Sequence, residues 1–366
     1  MDYTRREWLA AAAAGMAAAG RGARAAAAAA KWHPGHYVFV GHVAIGEEHL
    51  ADHFRGVQRC YAWNRLEPAR GRYDFASVRA DLDRLRKRGR QLVLQLQYKA
   101  FGRDARYAPS YIEGPAFGGG VYRASSGSFN PVIWNAAVAD RMEALLAALG
   151  RELDGDPALE AVVLPETAPS ASLAKSPQAG VDAYTPDAYA GALERLMLAQ
   201  RRAFPGTVVI QYTNFPGDLL ERLTIFMKDR GVGLGGPDVY PRPDAVSDPV
   251  RGVYRFYPKL AGVVPLGAAV QAPDYSVAAK KRTAMFDRGR DRSEAGIEPG
   301  DETPIPVREH LKLARETLKL NYLFWSASPR DCFENVKRML AETDLAGDPA
   351  GGLVTAIPSR AFVRPS

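Results

Sequence analysis

Eight short apolar runs alternate with helix-period segments across residues 36–342, no linker divides them, and the most apolar run ends in a carboxylate. These observations predict an α/β chain folded as a (β/α)8 TIM barrel, a single domain with long loops after strands 3 and 7. The run in question is Leu159-Glu160-Ala161-Val162-Val163-Leu164-Pro165-Glu166-Thr167. A stretch so short and apolar suits a strand covered on both faces. Glu166 falls at its C-terminal end, where parallel barrels carry their chemistry.

The elements follow in order. His36–His42 is rich in β-formers and opens the barrel; Glu47–Arg55 reads as a short helix stopped by Gly56. Val57–Trp63 is the second strand. Asp74 caps a helix with Phe75, Val78, Leu82 and Leu85 on one face, ended by Gly89. Gln91–Gln97 is the third strand, followed by a loop from Tyr98 to Pro131 whose length marks it as functional. A helix over Val132–Leu153 leads into the fourth strand. Thr185-Pro186-Asp187 starts the helix Ala188–Phe204, and Thr207–Tyr212 is the fifth strand. The helix Leu219–Arg230 precedes a glycine-rich sixth strand, Gly231–Asp238. Val263–Gln271 is the seventh, with Pro273–Pro306 inserted over the mouth after it. The helix Val307–Leu320, the strand Tyr322–Ser326 and the helix Asp331–Glu342 complete the set.

Residues 1–30 stand outside this pattern. Thr4-Arg5-Arg6-Glu7-Trp8-Leu9 followed by an alanine-rich stretch reads as a twin-arginine signal peptide cleaved before Lys31. The stretch is too weakly apolar for a stable membrane span. The expected organisation is a signal over 1–30, a barrel over 31–345 and a tail over 346–366. The partner of the signal is the twin-arginine export machinery and the destination the bacterial periplasm or beyond. Without these residues the formal charge falls from +7 to +5, as four arginines and two acids leave. The basic residues are scattered among acids, which argues against nucleic acid. Lys280-Lys281-Arg282, with Asp287, Asp291 and Glu294 close by, reads as a solvated segment. Cys60 lies inside a strand and reads as a buried small hydrophobe. Cys60 and Cys332 alone make no disulfide framework.

The strand ends supply the candidate site: His42, Trp63, Asn64, Gln97, Tyr98, Glu166, Tyr212, Asn214, Asp238, Tyr240, Gln271, Asp274, Tyr275 and Trp325. Aromatic faces stack on sugar C–H faces while amides and carboxylates bond hydroxyls, so the mixture fits a carbohydrate. No phosphate cradle, nucleophile elbow or Cys/His pair appears. His33, His36, His42, His49 and His53 crowd the start of the mature chain, but no His-x-His pair ends the first strand. Neither a metal nor a cofactor is expected.

Trp63-Asn64-Arg65-Leu66-Glu67-Pro68-Ala69-Arg70-Gly71-Arg72-Tyr73-Asp74-Phe75 resembles the W-x-x-x-E-P-x-x-G-x-Y-D-F segment of clan A glycoside hydrolases of the endoglycanase and β-galactosidase type. The resemblance implies a scaffold role for Glu67, a general acid/base at Glu166 and a sugar platform at Trp325. Two departures stand beside it. Pro165-Glu166 replaces the usual Asn-Glu, and Gln271 stands where the strand-seven nucleophile glutamate belongs. Glycosidic cleavage needs a protonated acid and an ionised partner. Asp274 or Asp238 would be the second carboxylate, with Asp274 the first choice. The alternative is a barrel that binds a glycan without cleaving it.

Overall fold

The computed structural model describes residues 31–169, 181–242, 249–287 and 289–363. The expected signal peptide lies outside the described residues. Eight parallel strands close into a barrel: β1 Gly35–Phe39, β2 Gly56–Ala62, β3 Gln91–Gln97, β4 Leu159–Leu164, β5 Val208–Tyr212, β6 Gly233–Gly236, β7 Leu266–Val270 and β8 Tyr322–Ser326. Each strand pairs with its sequence neighbours and β1 closes on β8, with Val38 opposite both Trp325 and Val57.

The principal helices are α1 Ala76–Lys87, α2 Ala136–Leu153, α3 Pro186–Ala203, α4 Leu220–Arg230, α5 Val277–Asp287, α6 Val307–Lys312 and α7 Arg330–Leu340. Asn135 caps α2 by accepting from the Val138 N–H, and Thr185 caps α3 by accepting from that of Ala188. Between β6 and β7 the helical layer consists of two short pieces, Pro249–Tyr254 and Tyr257–Leu260, which no long periodic pattern announces. The helix expected over 47–55 is only a 3₁₀ turn, Glu47–His49. Two apolar residues, Leu50 and Phe54, are too few to make a stripe, and side chains from elsewhere take the backbone instead. Arg84 donates to the Ile45 carbonyl and Arg90 to that of Phe54. The helix expected over 307–320 widens into a π turn at Leu313–Thr317.

Side chains alternate across each strand. Tyr37, Val93, Ala161, Val163, Val208, Ile210, Tyr212, Ala269, Tyr322 and Phe324 pack together inside the barrel. Their neighbours Val38, Leu92, Leu94, Val162, Val209, Leu323 and Trp325 pack outward into the larger cluster with the helices. The bulky lumen residues fit because β6 and β7 give up volume. A Cβ on Gly235 would stand 2.5 Å from Tyr212 Cδ1 and 2.6 Å from Ile210 Cγ2, and one on Gly267 would crowd Phe324 and Tyr322.

The N-terminal end of the barrel is sealed. Buried Glu160 accepts from the His33 N–H at 2.6 Å and from the Tyr322 hydroxyl at 2.7 Å, while Tyr37 donates to the His33 carbonyl at 2.7 Å. Trp32 packs edge-on against Tyr322 and donates to the Thr355 carbonyl. The chain after residue 345 packs back against this end: Phe362 lies against the lumen cluster, and buried Arg201 donates to the Ala361 carbonyl. Access to the lumen is therefore from the C-terminal mouth. No helix among the described residues is long and apolar enough to cross a membrane.

Gly235→Ala is expected to destabilise the fold by about 1–3 kcal/mol through overpacking against Tyr212 and Ile210. A urea unfolding midpoint unchanged from wild type would contradict this account of the lumen.

Candidate active site at the barrel mouth

A cavity of about 240 Å³ opens at the C-terminal ends of the strands. Its lining includes His42, Gln97, Glu166, Tyr212 and Gln271 from the sequence-derived set, together with Phe39, Phe101 and Tyr107. Glu166 is the only carboxylate among the described residues that line it.

Glu166 is held from three sides. Asn214, two residues past β5, donates its side-chain amide to Glu166 Oε2. Lys99, two residues past β3, is buried and donates to the backbone carbonyls of Glu166 (3.1 Å) and Ala168. Burial pulls the Lys99 pKa down to about 8, against the charge of Glu166, which pulls it up. Thr167 donates to the Phe215 carbonyl, and Tyr189 donates to the Thr167 carbonyl at 2.7 Å. The carboxylate therefore sits on a braced loop.

Beneath it runs a ladder of amides. Gln58 Nε2 donates to Gln95 Oε1 (3.1 Å) and to the Tyr212 hydroxyl (2.8 Å), Gln95 donates to Gln97, and Gln97 donates to the Lys99 carbonyl. These groups rest on the packed lumen and form a polar floor. His42 packs tilted against Tyr107 with ring centroids 4.5 Å apart, and burial together with Arg59 lowers its pKa. Phe101 is 38% exposed beside them.

The other expected site residues are elsewhere. Trp325 follows lumen-facing Phe324 and so points into the helix layer. It is fully buried, and its indole N–H donates to His36 Nδ1 at 2.9 Å. Trp63 is buried in the one-turn helix Trp63–Leu66 and donates to Glu67 Oε2 at 2.9 Å. Tyr98, Tyr240 and Tyr275 are buried away from the cavity. Asn64 lines an adjoining groove rather than the mouth. Glu67 is a buried brace, accepting from the Gly71 N–H at 2.8 Å and pairing with Arg141.

Asp274, expected as the second carboxylate, is fully buried. It accepts from the Gln271 N–H at 2.8 Å and pairs with Lys280 at 2.6 Å. Lys280 also pairs with Asp238, whose side chain is 16% exposed. The expected solvated reading of Lys280 is thus corrected: α5 carries it inward, 5.6 Å from the Tyr240 ring centre. Burial works against this ammonium, but the two carboxylates, Asp238 foremost, outweigh it and hold its pKa above the ordinary lysine value. Gln271 occupies the lumen-facing position at the end of β7 and does line the mouth. Both cysteines are free, and burial pushes Cys60 up to about 12. Among the described residues no group of three or more His, Cys, Asp or Glu is placed to hold a metal ion.

Phe101 and Tyr107 were not singled out by the sequence. Their only signal was membership of the long loop after β3.

No family model matches this chain, and no curated protein matches it in sequence. Among solved structures it is similar to the catalytic domain of β-amylase from Paenibacillus polymyxa, at 11% identity over 78% of this chain and 98% of that one, with a TM-score of 0.49. An endogalactoceramidase is similar at 16% identity over 80% and 70% of the two chains, TM-score 0.47. Endo-glycoceramidase II from Rhodococcus sp. is similar at 14% identity over 81% and 73%, TM-score 0.45. These similar structures are glycoside hydrolases. Overlaps this loose carry no argument about activity, which rests on the site itself.

Burial lowers the His36 pKa to about 4. Its Nδ1 accepts from Trp325, so protonation would set two donors against each other. In the unfolded chain the imidazole titrates near its ordinary value of about 6.5. Stability from this group is therefore complete above about pH 6.5 and is lost as the pH falls towards 4, by about 3 kcal/mol in all. Urea midpoints between pH 7 and pH 4 should fall less steeply in His36→Asn than in wild type; identical slopes would contradict the assignment.

Proposed function

We propose that this protein is an exported glycoside hydrolase, periplasmic or secreted, that cleaves O-glycosidic bonds of a poly- or oligosaccharide with Glu166 as general acid. The observation that carries the reading is a single carboxylate, among the described residues, in a mouth whose polar lining is otherwise mainly amides and aromatic rings. Protonated Glu166 would give its proton to the glycosidic oxygen as the bond breaks, while the ring oxygen shares the developing positive charge. Gln97 and Gln271 supply hydroxyl contacts, and Phe101 supplies an exposed ring for a sugar face.

Gln271 has no carboxylate with which to form a glycosyl–enzyme bond. With no nucleophile at 271, water is the attacking group in this reading, with inversion at the anomeric carbon. Asp238 is the better choice to activate that water, because it is partly exposed and follows Pro237, which lines the mouth, whereas Asp274 is fully enclosed.

One observation favours a second reading, a barrel that binds glycans without cleaving them: among the described residues the mouth lining contains no second carboxylate. Reducing-sugar release from a panel of bacterial and plant polysaccharides separates the two. Wild type should release product, and Glu166→Gln should lower kcat by about 10²–10⁴-fold at an unchanged unfolding midpoint. Anomeric proton NMR should show the inverted product first. Undiminished release by Glu166→Gln would overturn the role of Glu166, and saturable binding without product would establish the second reading.

A further inference from the structure

The mouth does not end at His42. His42, Cys60 and Tyr107 are shared with a neighbouring cavity of about 550 Å³. That cavity in turn shares Asn64, Arg65 and Arg106 with a third, of about 220 Å³, that includes Pro68 and Ser110. The three form one groove running from Glu166 outward over the end of β2 and along the loop after β3. Its walls are tied together, since the Asn64 N–H donates to the Tyr107 carbonyl at 2.8 Å and the Asn64 side chain to that of Arg106 at 3.1 Å.

Among the described residues, three arginines and one carboxylate line the two outer cavities. That carboxylate, Asp74, is engaged with the Ala76 N–H at the start of α1. Arg59 pairs with Asp81, which does not line the groove, and its Nε is buried without a hydrogen-bond partner among the described residues. Arg106 pairs with Glu113, also outside the lining, and lies 4.1 Å from the Phe129 ring centre, which fixes its plane. Arg65 is exposed and has no ion-pair partner among the described residues. A guanidinium offers paired N–H donors that match a carboxylate or sulfate. An exposed, unpaired guanidinium on that wall favours an anionic group over a neutral hydroxyl, because charge adds to the hydrogen bonds.

We propose that the glycan taken at the mouth carries acidic groups, carboxylates or sulfates, on the portion that extends from Glu166 through this groove, with Arg65 as the principal anion contact. The inference rests on the carbohydrate reading of the mouth and specifies its substrate class.

Isothermal titration of the full chain tests it with a linear tetrauronide, the methyl ester of the same tetrauronide, and a sulfated neutral tetrasaccharide. The uronide or the sulfated sugar should bind at least about tenfold more tightly than the ester in about 50 mM NaCl. The preferred one identifies the acidic group. The advantage should shrink in about 500 mM NaCl, because an exposed ion pair is screened. Arg65→Gln, a surface change, should remove most of the advantage of the acids over the ester. Equal affinity for ester and acids, or an Arg65→Gln profile like wild type, would overturn the acidic-glycan inference. With neutral glycans still cleaved, that result would leave the glycosidase reading standing; absence of both binding and product release would sink the two together.

Discussion

An eight-stranded barrel has a lumen just wide enough to be filled by side chains, and along each strand those side chains alternate between lumen and helix layer. This alternation governs the molecule. Phe324 is inside, so Trp325 is outside and meets His36 and His310. Ile210 and Tyr212 are inside, and Gly235 and Gly267 on the next strands leave them space. With the lower lumen filled by rings and its N-terminal end closed by His33 and Glu160, the mouth is a shallow polar floor. Among the described residues a single carboxylate, Glu166, stands over that floor.

The same constraint explains what the sequence disclosed. β3 and β8 match their expected spans end to end, because uniform apolar runs with flanking breakers leave little freedom. His42, Gln97, Glu166, Tyr212 and Gln271 were expected at the mouth, and all line it. Tyr98, Tyr240, Tyr275 and Trp325 were expected there because they lie near strand ends, but strand-end position is only half of the criterion. Which face a residue occupies is the other half, and one residue of offset sends an aromatic ring into the core. Counting parity back from Phe324 would have excluded Trp325. No such count reveals Phe101 or Tyr107, which reach the mouth only through the path of a long loop.

Charge was the less legible property. Lys280 sits in a run of basic residues that reads as solvent-facing, yet α5 turns it beneath Asp238 and Asp274. Such a pairing costs desolvation that the two carboxylates offset, and it ties the insertion after β7 to the ends of β6 and β7. Glu166 stands at the β4 side of the mouth, and the guanidiniums line the groove on the β2–β3 side. A substrate lying across it would meet an acid at one end and cations at the other.

The most direct test of the central claim, that Glu166 is the chemical centre of the mouth, is a crystal structure of the full-chain Glu166→Gln variant with a bound oligosaccharide. The account predicts a glycosidic oxygen within hydrogen-bond reach of the residue 166 amide and a sugar face against Phe101. A glycan seated elsewhere, with the mouth cavity unvisited, would contradict it.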